Sequence, residues 1–208
     1  MTTMKWDYFI RDKKNFGVLF ATFIISLGSV VLFRNFLEWN EMRHGYDIYD
    51  PILNWIGPFN FSSFIVAVTI PMVFWGIILC FRNPISTLYL LCAAIIIVIL
   101  RISTIYLLPF NPPSSIIPLS DPIINNLFYC GQVNQRDLFF SGHTANLILL
   151  GFLIENKTIR KIFFTIGAIV GTLLILQHVH YSYDVIAAPI FAFYTSKLSK
   201  HLTHKMVN

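Results

Sequence analysis

The chain has 208 residues, of which 56% are hydrophobic and only 12% charged, where a soluble domain carries about 25% charged residues. With a mean hydropathy of +0.67 and 20 Phe and 9 Tyr spread along its length, it is not an ordinary soluble globule, a disordered chain or a disulfide framework. The net charge of +5 would suit nucleic acid as a partner, but in a membrane protein the placement of the basic residues is what counts.

A spanning helix needs about 20 mostly apolar residues. Lys5, Arg11, Lys13 and Lys14 precede a first apolar run, from about Phe16 to Phe33. Arg34 follows it without a small-residue cleavage site, so a retained helix is expected. Further runs extend from about Phe61 to Phe81, Ile85 to Leu108, Leu138 to Ile154, Ile162 to Gln177 and Tyr183 to Leu198. Asn83-Pro84 marks the turn between the second and third, and Glu155 to Thr158 the connection after the fourth. The expected fold is all-α, a polytopic membrane protein with a six-transmembrane-helix bundle as one domain over residues 1–208. Cys80 and Cys92 lie inside apolar runs and read as small hydrophobes, while Cys130 reads as a free loop thiol.

Arg82, Lys157, Arg160, Lys161, Lys197, Lys200 and Lys205 fall at the termini or in the even-numbered loops, together with the first four cations. The positive-inside rule therefore puts both termini in the cytoplasm and accounts for the net charge without nucleic acid. The third loop, from about Pro109 to Asp137, lies on the other side. It exceeds the roughly 12 to 15 residues usual for a structureless connection, and is either an ordinary exposed loop or a cover for a site at the membrane surface.

Ionisable residues at membrane depth are costly, and they mark function by default. Here they are Arg101, His143, His178, His180 and Asp184, all in the non-cytoplasmic half. Asp137-Leu-Phe-Phe-Ser141-Gly142-His143-Thr144 opens the fourth run, with Ser141 placed to cap free backbone N–H groups. Such a helix start attracts phosphate, Gly142 leaves room for close approach, and His143 can give or take a proton near neutral pH. Gln177-His178-Val179-His180-Tyr181-Ser182-Tyr183-Asp184 lies between the last two runs. If it is helical, His180 and Asp184 share a face, the carboxylate orienting the imidazole as a nucleophile for transfer through a phosphohistidine. Two rivals are a metal site built from the histidines and Asp184, which lacks a zinc motif, and a serine hydrolase at Ser141, which lacks the Gly-x-Ser-x-Gly elbow.

These residues resemble the type 2 phosphatidic acid phosphatase superfamily, and within it the sphingomyelin synthase branch. That branch carries Cys-Gly-Asp-x-x-x-Ser-Gly-His-Thr and then His-Tyr-Thr/Ser-x-Asp-Val, matched by Asp137 to Thr144 and by His180-Tyr181-Ser182-Tyr183-Asp184-Val185. Arg101-Ile-Ser-Thr-Ile-Tyr106-Leu-Leu-Pro109 is similar to a third region, so the likeness runs from about residue 95 to 190. Gln135-Arg136 stands where the branch has Cys-Gly, Cys130-Gly131 lies upstream, and the first loop has Asp47-Ile-Tyr-Asp50-Pro51 in place of Pro-Pro-Leu-Pro-Asp. The resemblance implies a lipid phosphotransferase with His143, His180 and Asp184 catalytic. It places Arg101, Asp137, Ser141, Gly142 and Tyr181 around the substrate and its phosphate, and calls for no metal or other cofactor. The implied partners are a membrane phospholipid donor and a lipid alcohol acceptor, with a homo-oligomer left open.

The phosphatase branch adds Lys-x6-Arg-Pro and a Ser-Arg pair, and here Leu173 and Leu174 stand at the Ser-Arg positions. Fewer fixed cations suit a phosphodiester monoanion better than a monoester dianion, whose cleavage relies on electrostatic stabilisation. The alternatives are a lipid phosphate phosphatase and a non-catalytic lipid-binding membrane protein.

Overall fold

The computed structural model describes residues 6–120 and 134–207. Lys5, Asp121, Pro122, Ile123, Ile124, Cys130 and Gly131 lie outside the described residues. Among those described, the regular structure is helical apart from an isolated parallel bridge between Tyr46 and Phe110. In chain order the helices are α1 (Trp6–Arg11), α2 (Lys13–Glu41), α3 (Pro51–Trp55), α4 (Ser62–Phe81), α5 (Pro84–Leu107), α6 (Gly142–Leu153), α7 (Lys157–Leu176) and α8 (Ser182–Val207).

Short polar side chains at the helix starts satisfy amides that have no partner within the helix. Asp12 accepts from Lys14 N (2.9 Å), Asn83 from Ile85 N (2.8 Å) and Asn156 from Thr158 N (2.9 Å). Pro84 follows its cap at a position where its missing N–H costs nothing. The Asn83-Pro84 turn and the polar connection at Glu155 to Thr158 therefore stand where the sequence marks them.

Among the described residues, four helices are long and apolar enough to cross a membrane: α2, α4, α5 and α7. They suggest an integral membrane protein. The sequence reading has six spans; the structure does not confirm that count, and the remaining two runs correspond to α6 and α8. The fourth run is expected from Leu138, but α6 begins at Gly142 and has 12 residues, about 18 Å at 1.5 Å per residue, short of a roughly 30 Å hydrocarbon core. Residues 134–136 are held instead by the end of α2, where the Glu41 carboxylate accepts from Gln135 N (3.3 Å) and Arg136 N (3.1 Å). The short helix has little need to face lipid, because α7 and α8 pack along it and α4 and α5 close around it. Leu147, Ile148, Leu149, Leu150 and Leu153 are all buried. Helix α8 has 26 residues, and its buried side carries Thr195, Ser196, Ser199 and Thr203. It faces the bundle with polar groups that lipid would not accept.

Cys80 and Cys92 are buried inside α4 and α5, as expected of small hydrophobes. On the side of the bundle where α6 and α8 begin, the first loop and the described half of the third loop are tied together. Tyr46 N donates to Pro109 O (2.7 Å) and Asn111 N to Tyr46 O (3.0 Å). Gly45 is required there: an added Cβ would lie 2.6 Å from the Phe110 carbonyl carbon and 2.7 Å from Pro109 O.

Candidate active site

Helix α7 ends in a turn that sets up everything after it. His178 N donates to Ile175 O (2.9 Å) and Val179 N to Leu174 O (3.0 Å), the Schellman pattern, with His178 in the left-handed position at φ 58° that glycine usually takes. A side chain there costs roughly 1 kcal/mol or more, and the imidazole has a use that offsets it. Its Nε2 contacts Ile56 O (2.9 Å) and its Nδ1 contacts Ser115 Oγ (2.6 Å). A carbonyl only accepts, so Nε2 carries hydrogen and the serine hydroxyl donates to Nδ1. With both ring nitrogens engaged, His178 is a structural residue clamping the first and third loops. Neighbouring Gln177, fully buried, accepts from Phe61 N (2.9 Å) and donates to Ser62 Oγ (2.7 Å) and Ile117 O (3.0 Å). The third loop thus covers this corner, at least through its described residues.

His180 lies two residues further on, before α8 begins, so the expected shared helical face is not how it meets Asp184. Asp184 is the third residue of α8 and is fully buried. Its Oδ2 accepts from Tyr181 N (3.1 Å), reaching back to the residue before the helix as in a capping box. The same oxygen lies 3.3 Å from His180 Nδ1. The carboxylate holds Nδ1 as N–H and leaves the lone pair on Nε2, the arrangement a nucleophilic imidazole needs. The helix start favours negative charge on Asp184, whose Oδ1 has no hydrogen-bond partner among the described residues.

Ser141 N donates to Asp184 O (3.1 Å), which joins the start of α6 to the start of α8. Ser141 precedes α6 as expected, but its buried hydroxyl donates to Thr144 Oγ1 (3.1 Å) and caps no backbone N–H. Gly142 is the first residue of α6. The space beside it holds the Arg101 guanidinium, whose Cζ would lie 2.8 Å from an added Cβ. Arg101, on α5 and 8% exposed, forms an ion pair with Asp137 and lies 5.1 Å from the Phe33 ring centre. Asp137 is itself presented by the segment that Glu41 and Asn40 hold, Asn40 donating to Arg136 O (3.0 Å). His143 is half-buried in the first turn of α6, next to Gly142.

Tyr181 is buried against Leu53 and Leu138, and its hydroxyl donates to Asn111 O (2.9 Å). Burial pushes its pKa up to about 12, with the carboxylates of Asp184, Asp47 and Asp50 adding to the rise, so it stays a donor through the neutral range. Its observed bond anchors the third loop. Among the described residues no three His, Cys, Asp or Glu side chains converge to hold a metal ion.

Sequence reasoning missed Asp50, Asn111 and Gln177. Asp50 had a legible signal, since an aspartate directly before a proline reads as a helix cap, although nothing local says that its second oxygen accepts from Ser182 N (2.6 Å). Asn111 joins Gly45, Asp47, Arg136 and Tyr181, all remote in sequence.

Residues 135–202 match a family model described as PAP2 superfamily C-terminal. No curated protein and no solved structure matches the chain. Since the matched stretch contains Asp137, the start of α6 and the His180–Asp184 pair, it supports membership of the type 2 phosphatidic acid phosphatase superfamily.

Proposed function

We propose that this protein is a membrane enzyme that transfers a phospho-head-group from a phospholipid to a lipid alcohol, or to water, through a phosphohistidine at His180. The observation that carries the reading is the His180 Nδ1 contact with the buried Asp184 carboxylate, beside a helix start that also adjoins Arg101. His180 Nε2 attacks phosphorus and the bond to the lipid alkoxide breaks. His143, entering protonated, gives its proton to that alkoxide. In the second step His143 takes the proton from the acceptor hydroxyl, the acceptor oxygen attacks phosphorus, and the electron pair of the P–N bond returns to Nε2.

Arg101 and the first amides of α6 form the cradle for the phosphate oxygens. Since Asp137 already offsets most of the Arg101 charge, the cradle suits the single negative charge of a diester. A phosphocholine- or phosphoethanolamine-type donor with a ceramide- or diacylglycerol-type acceptor follows from this and from the motif resemblance. The cation distribution supports a site on the non-cytoplasmic face with both termini in the cytoplasm.

The test is to supply the purified protein in detergent with phosphatidylcholine labelled in its head-group, with and without ceramide or diacylglycerol, and separately with phosphatidate. Label in a new lipid, or released as phosphocholine, is the expected result. Phosphate from phosphatidate with the diester untouched would make the protein a phosphatase, and no turnover of either would leave a lipid-binding protein. His143→Ala should reduce turnover by about 10² to 10⁴; accumulation of labelled enzyme in this variant would confine His143 to the second step.

A further inference from the structure

Helix α3 is only five residues long and sits outside the bundle, yet both of its ends are fastened to the segment that carries His180. At its start, Asp50 is 3% exposed and divides its carboxylate. Oδ1 caps the helix, accepting from Ile52 N (2.9 Å) and Leu53 N (3.4 Å), while Oδ2 turns inward and accepts from Ser182 N (2.6 Å). Just past its end, Ile56 O accepts from His178 Nε2 (2.9 Å). Between these points Leu53 packs on Leu138 and Tyr181. The helix therefore braces residues 178–182 from one side.

Capping needs one acceptor oxygen, and Asp50 uses its other one on the first residue of α8. Two successive amides at that helix start are thus taken by two carboxylates: Tyr181 N by Asp184 and Ser182 N by Asp50. His180 hangs on the chain immediately before them. Its ring is oriented by Asp184, and the backbone from which both side chains project is fixed by Asp50.

We propose that Asp50 is a positioning residue for the phosphotransfer site, holding the His180–Asp184 segment at the Ser182 amide while it caps α3. The proposal rests on His180 being the nucleophile. A misplacement of about 1 Å in a reacting group costs on the order of 10²-fold in rate, so loss of this hold should appear in kcat, with substrate affinity kept.

Two variants separate positioning from simple capping. Asp50→Asn keeps an N-cap as good as aspartate but has only one acceptor oxygen. Ser182→Pro removes the donor at the first position of α8, where proline is well tolerated, and leaves the α3 cap whole. Each should lower kcat for head-group transfer roughly 10- to 100-fold, with KM and melting temperature near those of the unaltered protein. The double variant should be little worse than either one, because both break the same bond. Wild-type kcat in both variants would overturn the proposal. So would a fall in melting temperature with kcat per folded molecule unchanged, which would make Asp50 a cap only. If Asp50→Asn does not fold, Ser182→Pro decides alone. Failure of the His180 reading itself is seen separately, as full activity in His180→Ala.

Discussion

The two ends of α6 are built on opposite electrostatic terms. At its end, where the helix dipole is negative, cations close the last carbonyls: Lys200 Nζ donates to Phe152 O (2.8 Å), and Arg160 donates to Ile154 O through Nε (3.1 Å) and Nη2 (2.8 Å). At its start, where the dipole favours an anion, a guanidinium lies against Gly142, paired among the described residues with Asp137. Among the described residues, Arg101 Nε and Asp184 Oδ1 have no hydrogen-bond partner there. One end is satisfied internally, and in the proposed reading the other is completed by the phosphate of the lipid substrate. A buried charged group left short of partners is expensive, so the mismatched end carries a stability cost that the other end does not.

The comparison breaks first at His180 and Asp184. If the mismatched end is the reaction centre, His180→Ala and Asp184→Asn should each lower transfer by about 10⁴-fold or more with the fold intact, and the double variant should be little worse. Full activity in both would remove the phosphohistidine. Next comes Gly142→Ala, whose methyl group would overlap the guanidinium. Displacing Arg101 from the start of α6 should cost on the order of 10²-fold in kcat/KM and about 1–3 kcal/mol of stability; an unaffected rate would mean that Arg101 does not serve the phosphate.

Two further variants should act on stability more than on rate. His178→Ala removes two part-buried hydrogen bonds and leaves a side chain at positive φ, so unfolding should become easier by about 2–3 kcal/mol. The surviving folded protein should keep most of its activity, in contrast to the histidine two residues later. Lys200→Met, at the satisfied end, should cost about 1 kcal/mol and change kcat by less than about twofold. A large loss of kcat there would show that the two ends are coupled through α6.

Sequence local to each element identified much of this protein. Apolar runs and Asn or Asp caps are short-range features, so the helices and turns at Asn83-Pro84 and Asn156 could be read directly. The motif residues at 137–144 and 180–185 could be singled out because ionisable groups are rare in so apolar a chain. The extent of α6 could not be read, because an apolar run looks the same whether lipid or protein surrounds it. Nor could the separation of roles between His178 and His180, which depends on Ile56 and Ser115, more than 60 residues away.

What the sequence by itself determined, then, is an apolar helical chain with three histidines, an aspartate and an arginine set apart from it, since period, composition and caps act within a few residues. What only the tertiary structure decided is which of those groups meet. Asp137 reaches Arg101, the start of α6 is fastened to the start of α8, and Asp50 holds Ser182 across 132 positions of chain. Such bonds join segments that no local rule relates, and they form only when packing around α6 brings the helix starts together.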